Sequence, residues 1–323
     1  MDTYDSDVIV VGGGFAGVTA ARELTQRGTS VVVLEARNRL GGRTWTRPSD
    51  LGKTLEIGGT WVHWTQPHVW AEIARYDLPL VSSPVAERGL WKVGDEVRTG
   101  PAEYIFELLD SGMTQTVDRA TELLPNPFKF APLNDELKVL DHMSIADKIA
   151  ELDLDEEQRA LVEGMWGLNF NGYPISGGYT QALRWAALAG GNWMLLFEAC
   201  AKYKLEQGTK SLLDAIASQS TADFRLDSQV CRVVQSDDGV AVTLTDGSTV
   251  TAKEAIVTLP LNVLNSIEFS PELPPAIVSV AYEGQASTGV KLWGASERRH
   301  RTCSRVGVHD LDTELLPIRI RRR

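Results

Sequence analysis

Residues 7–17 read DVIVVGGGFAG and residues 31–44 read VVVLEARNRLGGRT, and the architecture of the protein follows from these two segments. The first begins with an apolar, β-branched run, which is typical of a parallel strand covered on both faces. It ends in G-x-G-x-x-G, a turn that lets backbone approach a pyrophosphate at the start of a helix. The second is another apolar strand, and it ends at Glu35. A carboxylate there accepts hydrogen bonds from ribose hydroxyls and repels a 2′-phosphate, which favours FAD or NAD over NADP.

The glycine motif predicts a dinucleotide site only together with the elements on either side of it, because three glycines in six positions also occur in ordinary tight loops. Here a strand precedes the motif, a helix is predicted over residues 15–26, and Gly28 is placed to end that helix. The sequence therefore predicts a dinucleotide-binding βαβ unit.

Composition limits the class of protein. The 323 residues suffice for about two domains, and a net charge of -11 argues against a nucleic-acid surface. Acidic residues at positions 2, 5 and 7 make secretion improbable on sequence grounds. The most apolar later window, residues 182–201, contains charged side chains and predicts buried helices, not a membrane span. Cys200, Cys231 and Cys303 lack metal or redox spacing, so we expect no metal site and free thiols in the cytoplasm.

A second group of glycines and cations follows the second strand. Arg37 and Arg43 supply positive charge near the expected phosphates, and Gly41-Gly42 permits close backbone approach. Residues 55–61 read LEIGGTW, a further glycine pair beside an aromatic residue. Taken alone, this pair suits a plain turn as well as backbone lying against a flat ring.

VVVLEARNRLGGRT followed by GGTWVHWTQ at residues 58–66 resembles the flavin-containing amine oxidase family, the monoamine oxidases and their relatives. The resemblance covers residues 7 to about 293. It implies an α/β fold with a Rossmann-like FAD-binding domain, and FAD that is bound non-covalently. The cofactor-binding residues that it implies are Gly12, Gly13, Gly14, Phe15, Ala16, Gly17, Glu35, Ala36, Arg37, Gly41, Gly42, Arg43, Thr44, Gly58, Gly59, Thr60, Trp61 and Val230.

Lys291 is the one candidate for a catalytic side chain, and it lies in the short run GVKLW at residues 289–293. The resemblance implies the lysine that holds a water near flavin N5 in this family. A lysine among apolar neighbours is otherwise one that reaches solvent from an edge strand. His63 and His68 suggest a catalytic base, but without a visible third partner we predict structural or pocket-lining roles for them.

From about Pro84 the pattern becomes more helical. Helical spacing predicts a helix over residues 103–124, and Ser144 and Asp155 begin two further helices, the latter with a capping box. Asp246-Gly247 predicts a hairpin, which is followed by a separate strand over residues 254–259. Three tryptophans in the helical region suit core packing or the lining of a substrate cavity: Trp166, Trp185 and Trp193.

The resemblance also divides the chain into interleaved domains. Residues 1–83 and 205–284 are predicted to form a discontinuous FAD-binding domain. Residues 84–204 and 285–296 are predicted to form an incomplete, mostly helical (α+β) substrate domain. Residues 297–323 hold eight arginines and four acids, a net charge of +4, and are predicted to be an atypical tail. Because the family continues beyond this point, we expect a chain that is truncated or frame-shifted relative to it.

The function that the resemblance implies is FAD-dependent oxidation of an amine to an imine, which yields an aldehyde, ammonia and hydrogen peroxide. The expected partners are a small-molecule amine and oxygen, without nucleic acid or a membrane span, and a homodimer stays open. Two alternatives remain. One is an inert, truncated flavin-binding remnant. The other is an NAD-dependent dehydrogenase, in which residues 41–44 and 58–61 would have no role.

Overall fold

The structure is a computed structural model, and it describes residues 4–50, 52–129, 134–285, 287–291, 293 and the backbone of 303–306. In the described residues the strands are β1 Ser6–Val11, β2 Val31–Leu34, β3 Thr46–Pro48, β4 Thr54–Glu56, β5 Trp61–Val62, β6 Leu80–Ser82, β7 Arg88–Val93, β8 Glu96–Pro101, β9 Tyr203–Leu205, β10 Asp223–Arg225, β11 Val230–Ser236, β12 Gly239–Leu244, β13 Thr249–Val257, β14 Glu268–Ser270 and β15 Cys303–Val306. The helices are α1 Phe15–Thr25, α2 Pro67–Arg75, α3 Ala102–Val117, α4 Ala120–Leu123, α5 Asp135–Leu140, α6 Ile145–Ala150, α7 Glu156–Phe170, α8 Tyr179–Leu188, α9 Trp193–Ala201, α10 Thr209–Ser218, α11 Leu261–Leu264 and α12 Pro275–Glu283, with a 3₁₀ turn at Pro174–Ser176.

The described chain divides into two compact units. Their bounds are Met1–Thr60, Ala71–Leu80 and Lys204–Gln285 for the first, and Trp61–Trp70, Val81–Tyr203 and Ala286–Arg323 for the second. Residues 61–70 and 81–83 lie in the second unit, where the His63 ring is 5.9 Å from that of Tyr203. The FAD-binding domain over residues 1–83 and 205–284 stays a prediction.

The first unit is built on one mixed sheet with the strand order β10-β2-β1-β13-β12-β11-β14. Its centre is parallel, since β1 pairs in parallel with both β2 and β13, and β2 pairs in parallel with β10. The hairpin β11–β12 adds antiparallel pairing on the other side of β13. This is the α/β architecture that the sequence predicts.

Successive side chains of β1 and β2 pack into two different cores, because side chains alternate between the two faces of a strand. Val8, Val10 and Val33 pack with Ala21 of α1. Ile9, Val11 and the other face of β2 pack instead with the β11–β12 hairpin and β13. Because both faces are covered, the strands read as continuous apolar runs.

The structure corrects one element of the sequence analysis. Residues 249–257 form a single strand, β13, instead of a hairpin strand followed by a separate strand over 254–259. Its first half pairs antiparallel with β12 through Thr249–Ala252, and its second half pairs in parallel with β1 through Val257. The change of apolar pattern along residues 249–257 reflects this change of neighbours along one strand.

The second unit contains a helical core formed mainly by α3, α6, α7, α8 and α9. Trp166 is fully buried, and its Nε1–H donates to Thr116 Oγ1 at 3.2 Å. Trp193 is buried as well and donates to Asp110 Oδ1 at 2.9 Å, and Trp185 packs against the same core from its edge. Core packing therefore accounts for all three tryptophans.

Helix starts in this unit follow the predicted signals. Ser144 and Asp155 each form a capping box with the third residue of the following helix, α6 and α7 respectively. The helix predicted over residues 103–124 is divided into α3 and α4 by a short turn at 118–119. The predicted tail lies outside the described residues apart from the backbone of β15, which pairs in parallel with β7.

Candidate functional site

The glycine turn between β1 and α1 is tightly closed by backbone contacts. A Cβ on Gly17 would lie 1.9 Å from the carbonyl oxygen of Gly12, so only glycine allows α1 to approach the strand this closely. Gly12 N–H donates to Leu34 O at 2.8 Å, which joins the turn to the end of β2. Thr258, which the sequence analysis did not single out, caps the turn by donating its hydroxyl to Val11 O and Gly12 O at 2.9 and 3.0 Å.

The start of α1 is open. Gly14 is its N-cap and supplies no side chain to the first turn, and a Cβ added at Gly14 would meet no atom within 4 Å. Phe15 is half-buried and Ala16 is exposed. The free N–H groups of a first helical turn, together with the helix dipole, form an anion-binding position.

Glu35 stands beside this turn at the end of β2, and its side chain is buried. Its Oε2 accepts the Gly13 N–H at 2.7 Å, and its Oε1 accepts the Arg37 N–H at 2.9 Å. Ala36, which lies between Glu35 and Arg37 in the chain, is exposed. Because each carboxylate oxygen has two lone pairs, both oxygens retain capacity for a further donor.

Two arginines hold the turn over residues 41–44. Arg37 Nη1 donates to Gly42 O at 3.0 Å. Arg39, which the sequence analysis missed, donates to Gly42 O at 3.0 Å and to Thr44 O at 3.1 Å, and its guanidinium lies 4.7 Å from the centre of the Trp45 ring. Burial, and secondarily the charge of Arg37, lowers the pKa of Arg39. The sequence feature that could have identified Arg39 is its position in the R-x-R-L-G-G series of residues 37–42.

The second glycine pair packs against the first. A Cβ on Gly58 would lie 2.0 Å from the carbonyl oxygen of Arg43, and Gly59 N–H donates to the same oxygen at 3.1 Å. Thr60 is buried and donates to Gly58 O at 3.0 Å. The glycine at 58 is thus required by the backbone of Arg43, while the Arg43 side chain itself is exposed.

Val230 begins β11 and is buried. The ladder with β12 shifts register between Val230 and Arg232, which marks a bulge. Two residues earlier, Ser228 N–H donates to the carbonyl oxygen of Glu35 at 2.8 Å. The structure therefore brings the start of β11 next to the end of β2, where Glu35 lies.

The second unit brings Lys291 to Trp61, although the two are far apart in sequence. Lys291 Nζ lies 5.2 Å from the centre of the Trp61 ring, within the range of a cation–π interaction. Trp61 is 43% exposed, and its Nε1–H donates to Ser83 Oγ at 3.1 Å. The alternative of a lysine on an edge strand does not fit, because Lys291 is half-buried and outside any strand.

His63 is completely buried, whereas His68 is exposed. His63 Nδ1 accepts the Thr65 N–H at 3.2 Å, which leaves the proton of a neutral ring on Nε2. That Nε2 is 3.6 Å from Glu198 Oε1 and has no hydrogen-bond partner among the described residues. Burial lowers the pKa of His63, and Glu198 only partly opposes this effect.

Comparison with protein-family models matches residues 15–312 to the flavin containing amine oxidoreductases. The chain belongs to this family. The match confirms the resemblance, the Rossmann-like fold class and FAD as the cofactor, and it extends past residue 293, where the sequence analysis ended the resemblance.

Two relatives illustrate the similarity. The chain is 38% identical over 296 residues to a pseudooxynicotine dehydrogenase of a Pseudomonas species, which covers 90% of this chain and 59% of the relative. It is 34% identical over 294 residues to a nicotine dehydrogenase of Pseudomonas putida, covering 90% and 60%. The chain thus spans about three fifths of the length of these relatives.

A solved structure of a putrescine oxidase bound to putrescine has a TM-score of 0.70 to this chain. The alignment has 24% identity and covers 86% of this chain and 63% of that one, so it shows the fold. Among the described residues, every helix is too short or too polar to cross a lipid bilayer.

Proposed function

We propose that the protein binds FAD and oxidises a small amine to an imine, with oxygen as the final electron acceptor and hydrogen peroxide as the product. Water then hydrolyses the imine to an aldehyde and ammonia. The observation that carries the proposal is the position of buried Glu35 beside the uncapped start of α1, in a chain that belongs to the flavin amine oxidoreductases.

The residues of the first unit fit the ADP half of FAD. The open backbone at Gly14 and the first turn of α1 suit the pyrophosphate. Glu35 suits the ribose, because its oxygens keep lone pairs beyond those used by Gly13 and Arg37. The exposed Arg43 and the backbone around Val230 are proposed as further contacts.

FAD, when bound, supplies the acceptor for the hydride equivalent that leaves the amine carbon. The protein's own contribution is proposed to lie in the second unit. Trp61 is held by its hydrogen bond to Ser83, and its ring positions the Lys291 ammonium. Lys291 Nζ then donates a hydrogen bond to the water that the family resemblance implies. The positive charge of Lys291 beside Trp61 disfavours a second cation nearby, which promotes binding of the amine in its neutral form.

The two relatives described above are named for pseudooxynicotine and nicotine, and the solved structure is that of a putrescine oxidase. We therefore propose pseudooxynicotine, nicotine and putrescine as the first substrates to test. A cytoplasmic location is also proposed, and it is supported by the free thiols of Cys200 and Cys231. A homodimer is proposed as well.

The test is the visible absorption spectrum of the purified protein after incubation with FAD, followed by anaerobic addition of each amine. We expect a flavin band that one amine bleaches. Lys291→Met is expected to slow bleaching by at least tenfold, while the band itself persists. Lys92→Met, a half-buried lysine of the same unit that pairs with Asp95, serves as the control and should leave the rate unchanged.

The outcomes separate the parts of the proposal. A flavin band that no amine bleaches would contradict amine oxidation and support a flavin-binding remnant. Absence of a flavin band in folded protein would contradict the whole proposal. An absorbance change that requires added NAD would instead revive the dehydrogenase alternative.

A further inference from the structure

A cavity of about 570 Å³ is lined entirely by residues of the second unit. These residues are far along the chain from the glycine turn. Its walls come from three segments: Trp64, residues 125–129, and residues 187–190 with Leu195. The volume is in the range of sites that hold small organic ligands. We call it the Trp64 cavity.

The lining of the Trp64 cavity is mostly apolar, and the charge that it carries is positive. Aromatic and aliphatic side chains dominate it, and two of its aromatic residues are accessible: Trp64 is 49% exposed and Phe128 is 64% exposed. Lys129 is the only ionisable residue among the described lining residues. Because no carboxylate in this wall balances the lysine, the cavity disfavours a cation and offers a donor to a ligand acceptor.

Two acidic residues lie three positions from a lining residue, and each is paired with a cation: Glu122 with Arg119 and Glu198 with Lys202. Glu198 lies one helical turn after Leu195 on α9, and its carboxylate accepts the Lys202 ammonium at 2.9 Å. It is also 3.6 Å from His63, whose ring supports Trp64 at a centroid distance of 4.8 Å. Since burial lowers the pKa of His63, this support stays uncharged near neutral pH.

The lining segment at residues 125–129 is held by a half-buried cation. Arg184 of α8 donates from Nε to Pro127 O at 3.0 Å and from Nη2 to Lys129 O at 3.4 Å. These two bonds fix the backbone of the loop that carries Phe128 and Lys129, so the aromatic and basic groups are positioned in advance. Arg184 adds positive charge behind the wall, which reinforces the bias against cations.

We propose that the Trp64 cavity binds an uncharged aromatic ring that carries a hydrogen-bond acceptor, the non-reacting end of the amine substrate. This inference rests on the proposed function for its link to amine oxidation. Trp64 follows Trp61 by three residues, so their Cα atoms are at most about 11 Å apart. An amine joined to an aromatic ring by a short aliphatic chain spans such a distance, whereas an aliphatic diamine would place its second charge beside Lys129.

The ring site is tested by ligand-detected NMR titration with 3-acetylpyridine, which is an uncharged aromatic acceptor without an amine. We expect saturable binding, and Phe128→Ala should weaken it about fivefold through loss of ring contact. Tyr282→Ala removes an aromatic side chain that is 76% exposed in the other unit and should have no effect. Lys129→Met should weaken 3-acetylpyridine about tenfold while leaving toluene unchanged, because only the former accepts a hydrogen bond.

Three results would overturn the inference: no saturable binding, equal weakening by Tyr282→Ala and Phe128→Ala, or displacement of 3-acetylpyridine by 1,4-diaminobutane. Phe128 is mostly exposed, so Phe128→Ala is expected to fold, and its circular dichroism and thermal unfolding are measured alongside. The probe binds without FAD or turnover. Ring binding in protein that shows no flavin band would therefore contradict the proposed function while leaving the cavity assignment intact.

Discussion

Two buried polar side chains, Glu35 and His63, can each be tested by a single substitution. Glu35 is buried with both oxygens occupied by backbone N–H donors, and His63 is buried with one ring nitrogen unpartnered among the described residues. A buried polar atom without a hydrogen-bond partner costs stability, and this applies to His63 Nε2. Each gives a prediction that concerns one side chain.

Replacing Glu35 with Ala is expected to weaken FAD binding at least tenfold, because the lost carboxylate would have accepted charge-assisted bonds from ribose. Binding is measured as the quenching of FAD fluorescence. Glu254→Ala, an exposed acid on β13 of the same sheet, is the control and should bind FAD normally. Equal affinity in Glu35→Ala and the wild type would exclude Glu35 from the site.

His63 is expected to titrate below its usual pKa of 6.5, since burial disfavours the imidazolium. The folded state then binds fewer protons than the unfolded state as pH falls below about 6.5, so the free energy of unfolding decreases there and is fully regained above it. NMR of the imidazole Cε1–H gives the pKa. Glu198→Gln should lower this pKa further, and Glu103→Gln, an exposed acid of the same unit, should not move it.

At the scale of elements, helix ends and helix contacts rely on specific pairs. The capping boxes at Ser144 and Asp155 satisfy the first N–H groups of α6 and α7. Arg22 of α1 makes a bidentate pair with Glu72 of α2, at 2.5 and 2.7 Å, and also donates to Tyr76. These contacts fix where a helix begins and which neighbour it meets.

Asp155→Ala is expected to lower the free energy of unfolding by about 1 kcal/mol, because the N-cap bond to Gln158 N–H is lost at the start of a core helix. Urea denaturation followed by circular dichroism measures the change. Asp153→Ala removes an exposed carboxylate two residues earlier and should be near neutral. If both variants lose the same stability, the cap contributes nothing beyond charge.

Glu72→Gln is expected to destabilise the protein by about 2 kcal/mol, since Arg22 is only 2% exposed and would remain as a buried charge with a weaker partner. Glu23→Gln is matched to it, because Glu23 pairs with the same arginine but is 43% exposed, and should cost well under 1 kcal/mol. Thermal unfolding of the two variants is compared.

The same pair predicts a pH dependence. The hydrogen bond from Arg22 lowers the pKa of Glu72 below 4.5. Its contribution to stability is therefore present above about pH 4.5 and is lost as pH falls through the folded pKa. Glu72→Gln should flatten the stability curve in this acidic range, and an unchanged curve would contradict the assignment.

At the scale of the whole molecule, the chain consists of two units and spans about three fifths of the length of its curated relatives. The first unit carries the glycine turn and Glu35, and the second carries the Lys291–Trp61 pair and the Trp64 cavity. The proposed cofactor binding and the proposed amine binding therefore rest on residues of different units and can be tested separately.

FAD is expected to raise the melting temperature of the protein, because a ligand that binds only the folded state adds about 2.7 kcal/mol at 100 times its Kd. NAD at the same concentration should give no shift. Differential scanning calorimetry measures both. A larger shift with NAD than with FAD would contradict the cofactor assignment.

The sequence by itself determined the βαβ unit, the acid at the end of β2 and the helix caps, because continuous apolar runs, glycine turns and capping boxes are encoded within a few consecutive residues. Only the tertiary structure decided that β13 is one strand with two neighbours, that Gly58 is required by Arg43, and that Lys291 meets Trp61. The Trp64 cavity likewise needs three distant segments. Contacts between residues far apart in the chain leave no local pattern, so packing alone settles them.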